Sequence, residues 1–141
     1  MSNKILIGID PGVKTGLAVW NTKKQELTIV NSMSIILAMD IIAMHFRVLK
    51  DFGALNVYIE NPNLRKWYGR NASQKQQGAG SIKRDYSIWV EFLQHHGIPY
   101  EEVNPKNVHT KLDAKTFASL TGWPSKTNEH SRDAAMLVYG K

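Results

Sequence analysis

Asp10 closes a short apolar run, Lys4-Ile-Leu-Ile-Gly-Ile-Asp10, and is followed by Pro11-Gly12, a strong turn signal. Glu60 closes a second such run, Leu55-Asn-Val-Tyr-Ile-Glu60, followed by Asn61-Pro62. If the two runs are neighbouring strands, both carboxylates come to one edge of the same sheet. A third acid, Asp133, lies three residues after His130, a spacing that puts the two side chains on one face of a helix. Carboxylates held together repel unless a cation sits between them, and hard divalent ions such as Mg²⁺ prefer oxygen ligands. The chemistry these types support is that of a divalent-metal site. Each residue also has a plainer reading. Asp10 before Pro-Gly can be a turn residue, Glu60 before Asn-Pro can cap a loop, and His130 with Asp133 can be a solvated helix face. The segment Asp10-Pro-Gly-Val-Lys-Thr-Gly16, whose small residues make a tight turn directly after a strand end, weighs toward the chemical reading.

The elements that must position these residues follow from periodicity. Lys4 to Asp10 predicts a buried strand, Thr15 to Trp20 a second, and Glu26 to Met33 a third beyond an Asn-Thr-Lys-Lys turn, together an antiparallel meander. Ser34 can cap a helix in which Ile35, Leu37, Ala38, Ile41, Ile42, His45, Phe46 and Leu49 recur at helical spacing up to Gly53. That helix is long enough to bring Leu55 to Glu60 back parallel to the first strand. From Asn61 to about Gln77 the chain is polar, basic and aromatic without a clean period, which predicts an exposed loop. Helical spacing returns with Ile82, Tyr86, Trp89, Val90, Phe92 and Leu93 and stops near Gly97. Tyr100 to Val103 is a short strand, and Lys106 to Lys141 reads as short helices broken at Gly122-Trp-Pro124, the last from about Asn128 to Val138. The expected fold is α/β with a mixed sheet.

With 141 residues, 43% hydrophobic and 21% charged, the chain suits one folded domain spanning 1–141 and not a disordered or fibrous one. No apolar run approaches the roughly 20 residues a bilayer needs, and the amino-terminal segment turns polar too soon for a signal peptide, so a cytoplasmic location is expected. Cysteine is absent, which excludes disulfides, thiolate metal sites and a thiol nucleophile. Eighteen Lys and Arg against twelve Asp and Glu give a net charge of +6, which favours a polyanionic partner. The basic residues gather in two regions. Arg65, Lys66, Arg70, Lys75, Lys83 and Arg84 form one, with Trp67 and Tyr68 between them, and Lys106, Lys111, Lys115 and Lys126 form the other.

Ile-Gly-Ile-Asp-Pro-Gly with Thr15-Gly16, then Val57-Tyr-Ile-Glu60, then His130-Ser-Arg-Asp133-Ala-Ala resembles the RuvC-type Holliday junction resolvases of the RNase H-like superfamily, over nearly the whole chain. The small size, His130 in place of a carboxylate and the divergent middle look more like a phage-encoded RuvC-like form than the bacterial housekeeping one, and host cytoplasm would then be its compartment. The resemblance implies a five-stranded mixed sheet flanked by helices, a homodimer, and an endonuclease acting in DNA recombination and repair. It also implies two Mg²⁺ or Mn²⁺ ions per active site, roughly 3.5–4 Å apart, one activating water and one stabilising the leaving oxygen. Asp10, Glu60, His130 and Asp133 then match the family's metal-binding, catalytic quartet, with Asp10 bridging. Imidazole suits Mn²⁺ better than Mg²⁺, and Glu129, four residues before Asp133, competes for the place of His130.

Arg65, Lys66, Trp67, Tyr68, Arg70, Lys75, Lys83, Lys106, Lys111 and Lys115 are the expected DNA contacts. The chain departs from the family where Asn61-Pro-Asn-Leu follows the glutamate and aromatics come only at Trp67 and Tyr68. The segment Gly80 to His96 matches the family's dimerising helix, although Trp89, Phe92 and Leu93 equally suit an intramolecular core. Other functions share parts of the pattern: a nuclease of relaxed preference for branched DNA or RNA–DNA hybrids, and a non-catalytic DNA-binding module. An actin-like ATPase has a similar phosphate loop but needs two such domains.

Overall fold

The computed structural model describes residues 3–64, 72–104 and 112–141, with the backbone alone over 72–79. Isoleucine and leucine runs broken by Pro-Gly and Lys-Lys turns give three successive strands, β1 (Ile5–Asp10), β2 (Lys14–Asn21) and β3 (Glu26–Ser34). These pair antiparallel, β1 with β2 from Ile5↔Asn21 to Asp10↔Gly16, and β2 with β3 from Lys14↔Ser34 to Asn21↔Glu26. Ser34 then caps α1 (Ile35–Leu49), its hydroxyl accepting from the Leu37 N–H at 3.2 Å. A 3₁₀ turn over Lys50–Phe52 ends at Gly53, whose φ of +58° is a conformation glycine adopts without strain.

The chain re-enters as β4 (Leu55–Glu60), which lies parallel to β1 with Ile5↔Leu55 through Ile9↔Ile59 in register. After a 3₁₀ turn over Pro62–Leu64 come α2 (Ala72–His96) and β5 (Tyr100–Val103), parallel to β4. The remaining helices are α3 (Ala114–Thr121), capped by Asp113, and α4 (Glu129–Met136), capped by Asn128. Among the described residues the five strands form one mixed sheet in the order β3-β2-β1-β4-β5. No described helix is long and apolar enough to cross a membrane.

Strand alternation sends side chains to two separate cores. On one face Ile7, Ile9, Leu17, Val19, Leu55, Val57 and Ile59 pack under α1 and α2, against Ala38, Ile42, Trp89 and Leu93. On the other, Leu6, Ala18, Trp20 and Val30 pack under α3 and α4, against Phe117, Ala134, Ala135 and Val138.

The element order and the meander agree with the sequence reading, and two details depart from it. The loop expected from Asn61 to about Gln77 is cut short, because α2 is already helical at Ala72. Its first turns, Ala72-Ser-Gln-Lys-Gln-Gln, are polar on every side, so they carry no amphipathic period although several are good helix formers. Leu37, expected in the core face of α1, is half-exposed, and Ile82 at the start of the α2 pattern is exposed as well.

Candidate active site

Asp10 and Glu60 follow directly on the paired residues Ile9 and Ile59, so they end adjacent parallel strands side by side. Both alternate with residues of the α1/α2 core, which puts them on the face covered by α4. Asp10 sits beside a tight connection in which the Thr15 hydroxyl, fully buried, donates to the Gly12 carbonyl at 2.8 Å. This bond holds the Pro11-Gly12-Val13 turn closed, so the Asp10 carboxylate leaves the strand from a fixed base.

The helix bearing His130 and Asp133 reaches this edge because two glycines let its backbone touch the sheet. A Cβ on Gly16 would lie 2.0 Å from the His130 carbonyl oxygen and 3.1 Å from the Asp10 Cβ; one on Gly8 would lie 2.2 Å from the Ala134 carbonyl oxygen. Any side chain at either position would lift α4 off the strands. The helix start is fixed from three sides. Asn128 and Ser131 form a reciprocal capping box, with the Ser131 N–H donating to Asn128 Oδ1 at 2.9 Å and the Asn128 N–H to Ser131 Oγ at 3.0 Å. The Asn128 amide also donates to the Ser32 hydroxyl on β3. Arg132 ties the helix to the preceding loops, donating from Nε to the Leu112 carbonyl at 2.8 Å and from Nη1 to the Thr127 hydroxyl at 3.0 Å.

In this setting His130 Nδ1 stands 3.2 Å from Asp10 Oδ2, a contact across 120 positions of sequence. The imidazole is half-exposed and the carboxylate largely enclosed, 49% against 15% side-chain exposure, so the pair has one wet side. A carboxylate oxygen accepts, so Nδ1 carries the proton, and a neutral ring then presents the Nε2 lone pair away from Asp10. Glu60 stands at the neighbouring strand end and Asp133 on α4, each with polar interactions of its own. Among the described residues no three His, Asp or Glu side chains form a cluster that could hold a metal ion. By donor type, Asp10, Glu60, Asp133 and His130 suit a hard divalent cation, and Glu129 offers a further carboxylate at the first position of α4.

Sequence reasoning did not anticipate a polar clamp behind Glu60. The Asn61 amide donates to Glu102 Oε2 at 3.2 Å, its Oδ1 accepts from the Asn63 N–H at 2.9 Å, and its backbone N–H donates to the Val103 carbonyl at 2.9 Å. The same Glu102 accepts a hydrogen bond from the Tyr86 hydroxyl on α2. Burial, together with this carboxylate, raises the Tyr86 phenol well above its usual value near 10. The one signal in the sequence was Asn61 itself, a turn former placed directly after a strand-end glutamate.

Of the expected DNA contacts, Lys115 is exposed on α3 and Lys83 is half-buried on α2. Arg65, Lys66, Trp67, Tyr68, Arg70, Lys106 and Lys111 lie outside the described residues, as does the side chain of Lys75. No family model matches the chain, and no curated protein matches it.

Proposed function

We propose that the protein is a divalent-metal-dependent endonuclease of RNase H-like fold that cuts phosphodiesters in branched DNA, four-way junctions first, as a RuvC-type resolvase. The observation that carries this reading is the convergence at one sheet edge: Asp10 and Glu60 on adjacent parallel strand ends, with α4 lowered onto Gly8 and Gly16 so that His130 meets Asp10. A purely structural helix needs no such approach at a pair of acidic strand ends.

In this reading Asp10, Glu60, Asp133 and His130 hold Mg²⁺ or Mn²⁺. When bound, such ions lower the pKa of water to make a nucleophile and neutralise charge on the leaving oxygen. The chain's own contribution is positioning. The Thr15–Gly12 bond fixes the strand end that bears Asp10, and the Asn61–Glu102 clamp fixes the one that bears Glu60. The basic residues, Lys83, Lys115 and those of 65–75 and 106–111, hold phosphates, and Trp67 and Tyr68 offer rings for unpaired bases at a junction centre.

The test is cleavage of a synthetic four-way junction and of linear duplex, with and without Mg²⁺ or Mn²⁺. Metal-dependent paired incision of the junction is expected, with binding that weakens steeply as salt rises. Equal cutting of linear duplex or of RNA–DNA hybrid would replace junction specificity with relaxed preference. Tight, salt-sensitive binding without cleavage in either metal would make the protein a DNA-binding module and end the nuclease reading.

A further inference from the structure

Lys14 is the only basic residue in any described strand. It opens β2, and alternation along that strand fixes its side. Leu17 and Val19 enter the α1/α2 core, whereas Gly16 meets the His130 carbonyl and Ala18 and Trp20 join the α4 core. Lys14, two residues before Gly16, therefore shares the face of Asp10. Gly16 is the ladder partner of Asp10, so Lys14 is the diagonal neighbour of that aspartate, at about 7–8 Å between Cα atoms and within reach of a long side chain.

Its base is fixed and its head is exposed. The backbone of Lys14 pairs with Ser34 on β3, and the Thr15–Gly12 hydrogen bond closes the turn before it. The side chain lies in solvent and forms no ion pair among the described residues. Arg132, the basic residue of α4, is committed to the Leu112 carbonyl and the Thr127 hydroxyl. A strand-end lysine can serve solubility alone, as Lys23 and Lys24 do in the exposed turn at the other end of the same strand, about 23 Å away. Lys14 differs from them in standing beside the acids.

We propose that Lys14 is a substrate-positioning residue, whose ammonium holds the phosphate next to the scissile one on the strand being cut. The proposal rests on the nuclease reading. Metal ions at Asp10 would neutralise the scissile phosphate, but a DNA strand carries a charge every 3.4 Å or so of its axis. The next phosphate thus falls within the screening length of about 8 Å and is repelled by the same carboxylates. A single ammonium on a four-carbon stem, rooted one diagonal away from Asp10, supplies the missing counter-charge and sets how the strand crosses the sheet edge.

The experiment pairs Lys14→Gln with junctions carrying one neutral methylphosphonate at each position around the cut. On the fully charged junction Lys14→Gln should lower kcat/KM about tenfold or more, as expected for a lost charge-assisted contact. Lys14→Arg should stay within about threefold of wild type because it keeps the charge, and Lys24→Gln should match wild type. One methylphosphonate, beside the scissile position, should cost the wild type as much as the substitution does and cost Lys14→Gln nothing more; at other positions the losses should add. In an Asp10→Asn background, where binding is read without cutting, Lys14→Gln should reduce the slope of log affinity against log salt by about 0.9. Melting temperatures should be equal throughout. Lys14→Gln cutting like wild type, losses that add at every position, or a fall in melting temperature that accounts for the lost activity would overturn the proposal. If wild type binds junctions without cutting them, the nuclease reading fails first, and an unchanged salt slope in Lys14→Gln then removes Lys14 from the interface as well.

Discussion

On the face of the sheet beneath α1 and α2, the strands present Ile7, Ile9, Leu17, Val19, Val57 and Ile59, and the helices answer with Ile42, Trp89 and Leu93. Beneath α4 the same strands β1 and β2 present Gly8, Gly16 and Ala18, and the helix answers with Ser131, Ala134 and Ala135. The first face gains stability from buried apolar bulk, of order 25 cal/mol per Å² removed from water. The second gives up bulk so that backbone can touch backbone. The contrast teaches where precision resides: interdigitated large side chains tolerate small displacements by repacking, whereas a carbonyl against a bare strand holds α4 at a single height, and with it His130 beside Asp10. Large side chains hold the fold on both faces, and their absence where α4 crosses Gly8 and Gly16 shapes the site.

If the two faces divide the work in this way, a change at the site end should cost activity without stability. Asp10→Asn should lower metal-dependent junction cleavage by at least about a thousandfold, equivalent to ~4 kcal/mol of barrier, with junction binding and melting temperature nearly unchanged. Gel cleavage and mobility shift measure both sides of that statement, and near-wild-type cutting would remove Asp10 from the chemistry. The opposite pattern belongs to Trp89→Ala, which empties a fully buried site on the bulky face. A loss of about 3–5 kcal/mol in urea unfolding is expected, with per-molecule cleavage retained under folded conditions. A stability cost under about 1 kcal/mol would break the comparison.

Gly16→Ala sharpens it, because one methyl group added at 2.0 Å from the His130 carbonyl must raise the helix. Stability should fall by roughly 1–3 kcal/mol. Cleavage should fall by about a hundredfold, more than that stability loss explains, since a displacement near 1 Å is enough for such an effect. The smallest effect is a pH dependence on the α2 side. Tyr86 has a folded pKa raised above its usual value near 10, so the stabilisation linked to its proton is complete below pH 10 and declines as pH rises beyond it. The urea midpoint should therefore drop above pH 10, and Tyr86→Phe should remove that part of the drop. An identical alkaline slope in wild type and variant would detach Tyr86 from the clamp around Glu102.

The order of elements was legible because Ile- and Val-rich runs ending in Pro-Gly, Asn-Pro and Gly mark strand ends and helix stops, and Ser34 marked the start of α1 by its cap. The strand-end acids were legible for the same reason: a charge closing an apolar run has one natural place, the sheet edge. The entry to α2 was not legible, because its polar first turns show no period. Gly8 and Gly16 could be seen as small residues near a turn, but what fills the space above them is set by a helix that begins more than 100 residues later, and no local pattern reports it. The Asn61–Glu102–Tyr86 clamp joins three elements through side chains whose types, taken alone, suit a solvated surface.

The contact between Asp10 and His130 spans 120 positions, and that span has a consequence in time. α4 has no surface to rest on until β1, β2 and β3 have paired, since Gly8, Gly16 and Ser32 each supply part of its seat. Closing so long a loop comes at an entropic cost that only a formed sheet can offset. The two halves of the pair are therefore expected to meet late. Should that edge carry the proposed chemistry, it would do so only in a chain whose sheet is formed and whose α4 is seated.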